Sequence, residues 1–340
     1  MPRILVGFIV SMLFMPGVQA GEGVAPVTGR PVHTYSIVAR DPHSGQLGVA
    51  VQSHWFSVGS LVPWARAGVG AIATQSFIEV RYGESGLDLM ASGLSATRTL
   101  DALLAADANP GVRQVAMIDA SGEVAVHTGE NCIEYAGHLT GDDFSVQSNL
   151  MISPGVQQAM ADAFQQATGT LAERMLAALE AAQAVGGDLR GKQSAAILVV
   201  DGTVASRPRD GRLVDLHVED SPQPLVELRR LLRLHTAYAH MNQGDHALES
   251  GDVDAALHEY GQAEGLQPDN LEMKFWHAVS LVNAGRVDAA MPVFAGIFRD
   301  DARWRTLVQR LVQAGLLDAD AAVLARINTA GVKQEGRIND

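Results

Sequence analysis

Thr34 stands at the head of an apolar run, TYSIVAR, that reads as a β-strand. A threonine hydroxyl is a poor nucleophile at neutral pH. It becomes a useful one when the same residue carries a free α-amine, whose pKa near ~7.7–8 leaves it partly unprotonated and able to take the hydroxyl proton. At a chain terminus Thr34 would do acyl-transfer chemistry; inside a chain it is a strand residue favoured by β-propensity. Other polar residues fall where they could serve such a nucleophile. Ser53 and His54 close the next run, LGVAVQSH, and return toward Thr34, with His54 the base that an uncut chain would use. Gln75 and Asn149 end apolar strands and could donate to an oxyanion. Asp188, Arg190, Gln193 and Ser194 lead into the buried run SAAILVV, either as site residues on a rigid scaffold or as a surface loop with an ion pair. Asp41 ends the first strand; it orients the amine or the hydroxyl, or it caps the turn DPHSGQ.

Other chemistries find little support. His127 and His138 are too isolated for metal-ligand spacing, and the sequence has no HExxH motif and no cysteine pair, so no metal is expected. Neither GxGxxG after a strand nor GxxxxGK[ST] occurs, and no nucleotide or other cofactor is indicated. Cys132 is the single cysteine, which rules out an intrachain disulfide; it reads as a small buried hydrophobe rather than a nucleophile. A formal net charge of −13 argues against nucleic acid and anionic membrane surfaces as partners.

These residues need elements to hold them, and the chain supplies them in blocks. Residues 1–20 have a basic start, the apolar run ILVGFIVSMLFM and a small-x-small site at VQA: a cleaved secretory signal, too short to span a bilayer. Residues 21–33, rich in Gly and Pro, read as a flexible leader. A hairpin follows, then a strand over 67–77 with Gly68 and Gly70 at a bulge or close backbone approach. Helical spacing marks 82–94 and 95–106, with Ser95 as N-cap, before a second hairpin over 115–129 and a strand over 144–151. Helices over 156–167 and 170–185 precede strands over 194–200 and 213–218. Strands, helix pair, strands, helix pair, strands is the order of sheets held between helical layers, an α+β domain over 34–220.

Pro222 and Pro224 mark a linker, and 225–327 is helical with an internal repeat. The phrases ESGDVDAAL and NAGRVDAAM are near copies, and a 34-residue step carries Ala256 onto Ala290 and Tyr260 onto Phe294, the tetratricopeptide (TPR) signature. Residues 303–317 read as a further, degenerate helix pair or cap, and 328–340 as a disordered tail.

The stretches TYSIVARD at 34–41, GVAVQS at 48–53, VPWARAGVGAIATQ at 62–75 and GGDLRGKQSAA at 186–196 resemble DUF1028, a bacterial family of unknown function placed in the N-terminal nucleophile (Ntn) hydrolase superfamily. The resemblance spans about 34–218. It implies a four-layer αββα sandwich and amide-bond hydrolysis by an N-terminal Thr, Ser or Cys, here Thr34. Because 33 residues precede Thr34, that chemistry requires removal of 21–33 as well as the signal. The expectation is a periplasmic or secreted Ntn-type amidohydrolase acting on a small-molecule or peptide amide, with a protein partner at the helical repeats, no membrane attachment after signal cleavage, and self-association left open. The alternative is an inactive Ntn-like scaffold that serves as an envelope adaptor through its repeats.

Overall fold

The computed structural model describes residue 32 and residues 34–207 and 210–331. The expected signal, the leader apart from Val32, and the tail from 332 onward lie outside the described residues. The described chain opens with four strands, β1 (Thr34–Arg40), β2 (Leu47–Ser53), β3 (Pro63–Arg66) and β4 (Gly70–Ser76), then helices α1 (Arg81–Ala91) and α2 (Ala96–Ala106). Strands β5 (Arg113–Asp119), β6 (Val124–Thr128), β7 (Gly137–Gly141) and β8 (Phe144–Ser148) come next. Helices α3 (Val156–Gln166) and α4 (Leu171–Ala184) and strands β9 (Ser194–Val200) and β10 (Arg212–Val218) complete the α+β part.

Two antiparallel sheets result, one in the order β10-β9-β2-β1-β8-β7 and one in the order β3-β4-β5-β6. Strand β1 lies inside the larger sheet and is buried on both faces, which explains its unbroken apolar look. Its odd positions, Tyr35, Ile37 and Ala39, join a core with Met160, Phe164, Met175 and Leu179 of α3 and α4. Its even position Val38 joins Val49, Val51, Ala71, Ala73, Ala116 and Ile118 between the sheets. On the far side, Ile72, Val115 and Met117 meet Tyr82, Leu87 and Leu100 of α1 and α2. The layers therefore run helix, sheet, sheet, helix.

Local chemistry fixes the ends of these elements. Ser95 caps α2 by accepting from the Arg98 N–H, and Thr170 with Glu173 forms a reciprocal capping box at α4. The β1–β2 turn is held by Asp41, which accepts from the N–H groups of His43 and Ser44. The strand expected over 67–77 is β4, and it begins at Gly70, later than expected. Gly68 has φ +66 in the turn before it, and a Cβ on Gly70 would lie 2.7 Å from the Ile118 carbonyl oxygen. Sequence reading missed β3 and β7, both short edge strands.

Helices α5 (Pro224–Glu249), α6 (Val253–Leu266), α7 (Leu271–Asn283), α8 (Val287–Asp300), α9 (Trp304–Gln313) and α10 (Ala321–Thr329) follow; α5 packs on α6 and α7 on α8, while α9 and α10 both pack against α8. Ala256 and Ala290 are fully buried, as are Tyr260 and Phe294 one turn later. The expected tail begins too early: Asn328 and Thr329 close α10. The expected linker is also different. Pro224 sits in the first turn of α5, where its missing N–H costs nothing, and Leu225, Leu228 and Leu232 join the core of the larger sheet and α4.

Candidate functional site

In register, Thr34 faces Ser53 and Ser53 faces Ser194, so three hydroxyl residues lie in one row across β1, β2 and β9. Directly opposed residues in antiparallel strands share a face, here the one turned to the second sheet. Two strand spacings put Ser194 about 10 Å from Thr34. All three are fully buried. The Thr34 hydroxyl donates to the Val32 carbonyl at 3.0 Å, and the Thr34 carbonyl accepts from the Asn149 N–H at 3.1 Å. Ser194 Oγ is occupied differently: it accepts from the Val58 N–H at 3.1 Å and donates to the Trp55 carbonyl, fastening the segment after β2.

Beside Thr34 the layer between the sheets changes from aliphatic to polar. Ser36 Oγ donates to Gln75 Oε1 at 2.6 Å and accepts from Gln147 Nε2 at 2.6 Å. Gln75 Nε2 donates to Gln114 Oε1 at 2.7 Å and lies 3.4 Å from the Thr34 carbonyl. Asn149 Nδ2 donates to the same Gln114 oxygen at 2.8 Å. Gln114 Nε2 in turn donates to the Ser148 carbonyl at 3.0 Å and to Thr128 Oγ1 at 3.0 Å. Ser36, Gln75, Gln114, Gln147 and Asn149 are all fully buried, and no member of the group is charged at neutral pH. Buried amides are tolerated only when partnered, and a partnered network holds one geometry. This one holds the Thr34 peptide from both sheets. Gln75 thus reaches the Thr34 carbonyl, and the Asn149 side chain donates to Gln114.

The backbone is strained next to both amides. Ser76, directly after Gln75, has φ +67, and Leu150, directly after Asn149, has φ +55. Left-handed backbone is unusual for such residues and persists only where the surroundings enforce it.

Asp188 lies at the same end of the sheet, nearly buried, ion-paired to Arg190 at 2.7 Å and accepting from the His54 N–H at 3.2 Å. Burial, reinforced by the Asp188 charge, pushes the Tyr35 hydroxyl well above its ordinary pKa. Tyr35 therefore stays protonated and donates to Gln52 and to Gln183 Oε1, on the helix-facing side of the sheet. His54 itself is exposed, with its ring over Gly191. Gln193 pairs with Asp220 at 3.0 Å. Asp41 belongs elsewhere: it follows Arg40, about 23 Å along β1 from Thr34. There burial disfavours its charge, but the N–H groups of His43 and Ser44 and the Arg174 guanidinium outweigh burial and hold its pKa low, a turn-capping role.

Sequence reading missed Ser36, Gln114, Gln147 and Tyr35. The signal was present as Thr34-x-Ser36 and Ser145-x-Gln147-x-Asn149, polar residues at a period of two in buried strands. His138 is also linked to the network, through Thr128 Oγ1 at 2.9 Å, and partial desolvation with the neighbouring His127 lowers its pKa. Among the described residues no group of His, Cys, Asp or Glu is arranged to hold a metal ion, and no helix is long and apolar enough to cross a membrane.

A family model described as a family of unknown function, DUF1028, matches residues 34–228. The chain belongs to the DUF1028 family. The match to DUF1028 begins at Thr34 itself, and a tetratricopeptide repeat model matches residues 247–314. A crystal structure of a Silicibacter pomeroyi protein, described as DUF1028, is similar at 29% identity with a TM-score of 0.54, covering 60% of this chain and 89% of that one. No curated protein matches the chain.

Proposed function

We propose that this DUF1028 protein is an exported amidohydrolase of Ntn type whose nucleophile is Thr34, once the residues before it are removed. The observation that carries the reading is the setting of Thr34. It opens an internal strand, its carbonyl is held by the Asn149 N–H and approached by the Gln75 amide, and its hydroxyl already points at a carbonyl, that of Val32. The family match starting at this residue supports the same position.

With the leader attached, the Thr34 nitrogen is an amide without a usable lone pair, and the hydroxyl is enclosed. Removal of residues 21–33 would free both. Thr34 Oγ then attacks the carbonyl carbon of an amide while its proton passes to the α-amine. The tetrahedral oxyanion collapses, the C–N bond breaks, and the amine leaves with the proton from the α-ammonium. Water, deprotonated by the same amine, hydrolyses the Thr34 ester and regenerates the terminus. Asp188 and Ser194 would act at one remove, by shaping the segment around His54 and Trp55. Trimming of the Gly- and Pro-rich leader by an envelope protease is the favoured route to maturity, with self-cleavage at the His33 carbonyl as the other.

One observation favours the alternative of an inactive scaffold: Thr34 and the amides around it are fully buried and already hydrogen-bonded. The two readings separate cleanly. Mass spectrometry of active exported protein should find a terminus at Thr34. In a chain starting there, Thr34→Ala should lower amide turnover by roughly 10³-fold or more. Full activity with Gly21 still attached would sink the proposal and make His54 the next base to test. The repeats supply an extended surface of the kind used for protein partners.

A further inference from the structure

Val32 is the one described residue of the leader, and it is built into the fold. It is 3% exposed and belongs to the aliphatic cluster between the sheets. Its N–H donates to the Ser76 carbonyl at 2.6 Å, and its own carbonyl accepts from the Ser76 N–H at 3.0 Å. That same carbonyl accepts the Thr34 hydroxyl at 3.0 Å. A carbonyl oxygen that meets both the nucleophile's hydroxyl and a fixed backbone N–H stands where an amide substrate would present its own. Ser76 holds its N–H there through the strained φ of +67.

We infer that the slot filled by Val32 is the acyl-binding subsite, that the Ser76 N–H is an oxyanion donor, and that the substrates are peptide-like amides with a small branched aliphatic acyl residue. The inference rests on Thr34 being the nucleophile once terminal. In the mature chain the substrate residue would take over the three hydrogen bonds of Val32: N–H to the Ser76 carbonyl, carbonyl to the Ser76 N–H, and the contact with Thr34 Oγ. Its side chain would enter the aliphatic layer, where a charged group would go unpaired. The surroundings agree. Loops at this end of the sheets expose Phe56, Ile133, Ile152 and Leu189, whereas the β1–β2 and β5–β6 turns at the other end read DPHSGQ and DASGE.

The test uses a chain beginning at Thr34, freed in vitro, and carrying Thr34→Ala so that ligands are bound and not consumed. Titration calorimetry should find N-acetylvalinamide bound roughly tenfold or more tightly than N-acetylglycinamide. N-acetylaspartamide should bind more weakly than either. The chain from Gly21 should bind none of them, because Val32 occupies the slot. Equal affinity for the valine and glycine ligands, or equal binding to the chain from Gly21, would overturn the inference whatever the turnover. Hydrolysis by the Thr34-terminal chain with no preference for valine would overturn it too, yet leave the amidohydrolase reading standing; no hydrolysis together with valine-selective binding would remove the amidohydrolase reading, and with it the acyl and oxyanion roles, and leave only a valine-binding slot. If the shortened chain does not fold, Val32→Asp in the chain from Gly21 reads the same slot. The buried aspartate should lift the leader and restore valine-selective binding, and failure to do so in a folded protein would count against the slot.

Discussion

At the scale of single residues, the decisive feature is that the environment of Thr34 is polar without being charged. Gln114 is its hub: one oxygen accepts from both Gln75 and Asn149, and its nitrogen reaches β6 and β8. Gln114→Leu should remove the acceptor that two buried amide donors share, and destabilise the fold by about 2–4 kcal/mol, measured by denaturant unfolding. A loss below ~0.5 kcal/mol would mean that the network does not clamp the Thr34 peptide. This scale was only partly legible in the sequence. Thr34, Ser53 and Ser194 were recognisable because each marks the edge of an apolar run, and strand register then aligned them. Gln114 and Gln147 were not, because a glutamine in a strand looks like a solvent-facing residue until a second sheet is known to cover it. For Asp41 the structure decides between two readings in favour of the turn cap, because seven residues along a strand are distance in space.

At the scale of elements, connections matter more than strands. Asp107, after α2, accepts from Arg113 Nε of β5 at 2.7 Å, from Tyr82 OH of α1 at 3.0 Å and from the Asn109 N–H at 2.9 Å, while Arg113 also holds the Phe77 carbonyl after β4. Burial disfavours the Asp107 charge, but the Arg113 guanidinium and the Asn109 N–H outweigh it and hold the pKa below the usual carboxylate value. A depressed folded-state pKa gives stability that is complete above the unfolded value of ~3.9 and is lost as pH falls through the folded one. Asp107→Asn should therefore cost about 3 kcal/mol at pH 7, and the gap to the parent protein should close in unfolding curves taken at progressively lower pH below about 4. In the repeats, Ala256 is fully buried at the approach of α5 and α6, and Ala256→Trp should overpack it by ~1–3 kcal/mol or more. Circular dichroism should show loss of helix with the sheets intact. The repeats were legible because their period is written in near-copies of one phrase. Strands β3 and β7 were not: PWAR and GHLTG are short edge segments with no clean alternation.

At the scale of the whole molecule, α5 alters the two-part organisation that the sequence suggests. Pro222 and Pro224 look like a linker, yet proline in the first turn of a helix is also a helix start, and the two readings cannot be separated without knowing where Leu225, Leu228 and Leu232 point. They point into the core shared by β9, β10 and α4, with Leu228 fully buried, while Ala237 and Met241 further along the same helix belong to the repeat core. Arg229 adds an ion pair to Glu180 on α4, exposed and of small weight. The first three turns of α5 are thus part of the sheet domain. A chain ending at residue 223 should melt well below the full protein, because removing Leu228 alone costs about 2–5 kcal/mol by the usual price of a large-to-small core change. A chain ending at residue 234 keeps all three leucines and should recover most of that stability without any repeat. The complementary fragment, 225–340, should be helical in isolation but prone to associate through the leucines it leaves uncovered. Equal melting of the 223 and 234 truncations would show that α5 only leans on the sheet domain, and would restore the reading of two independent parts joined by a linker.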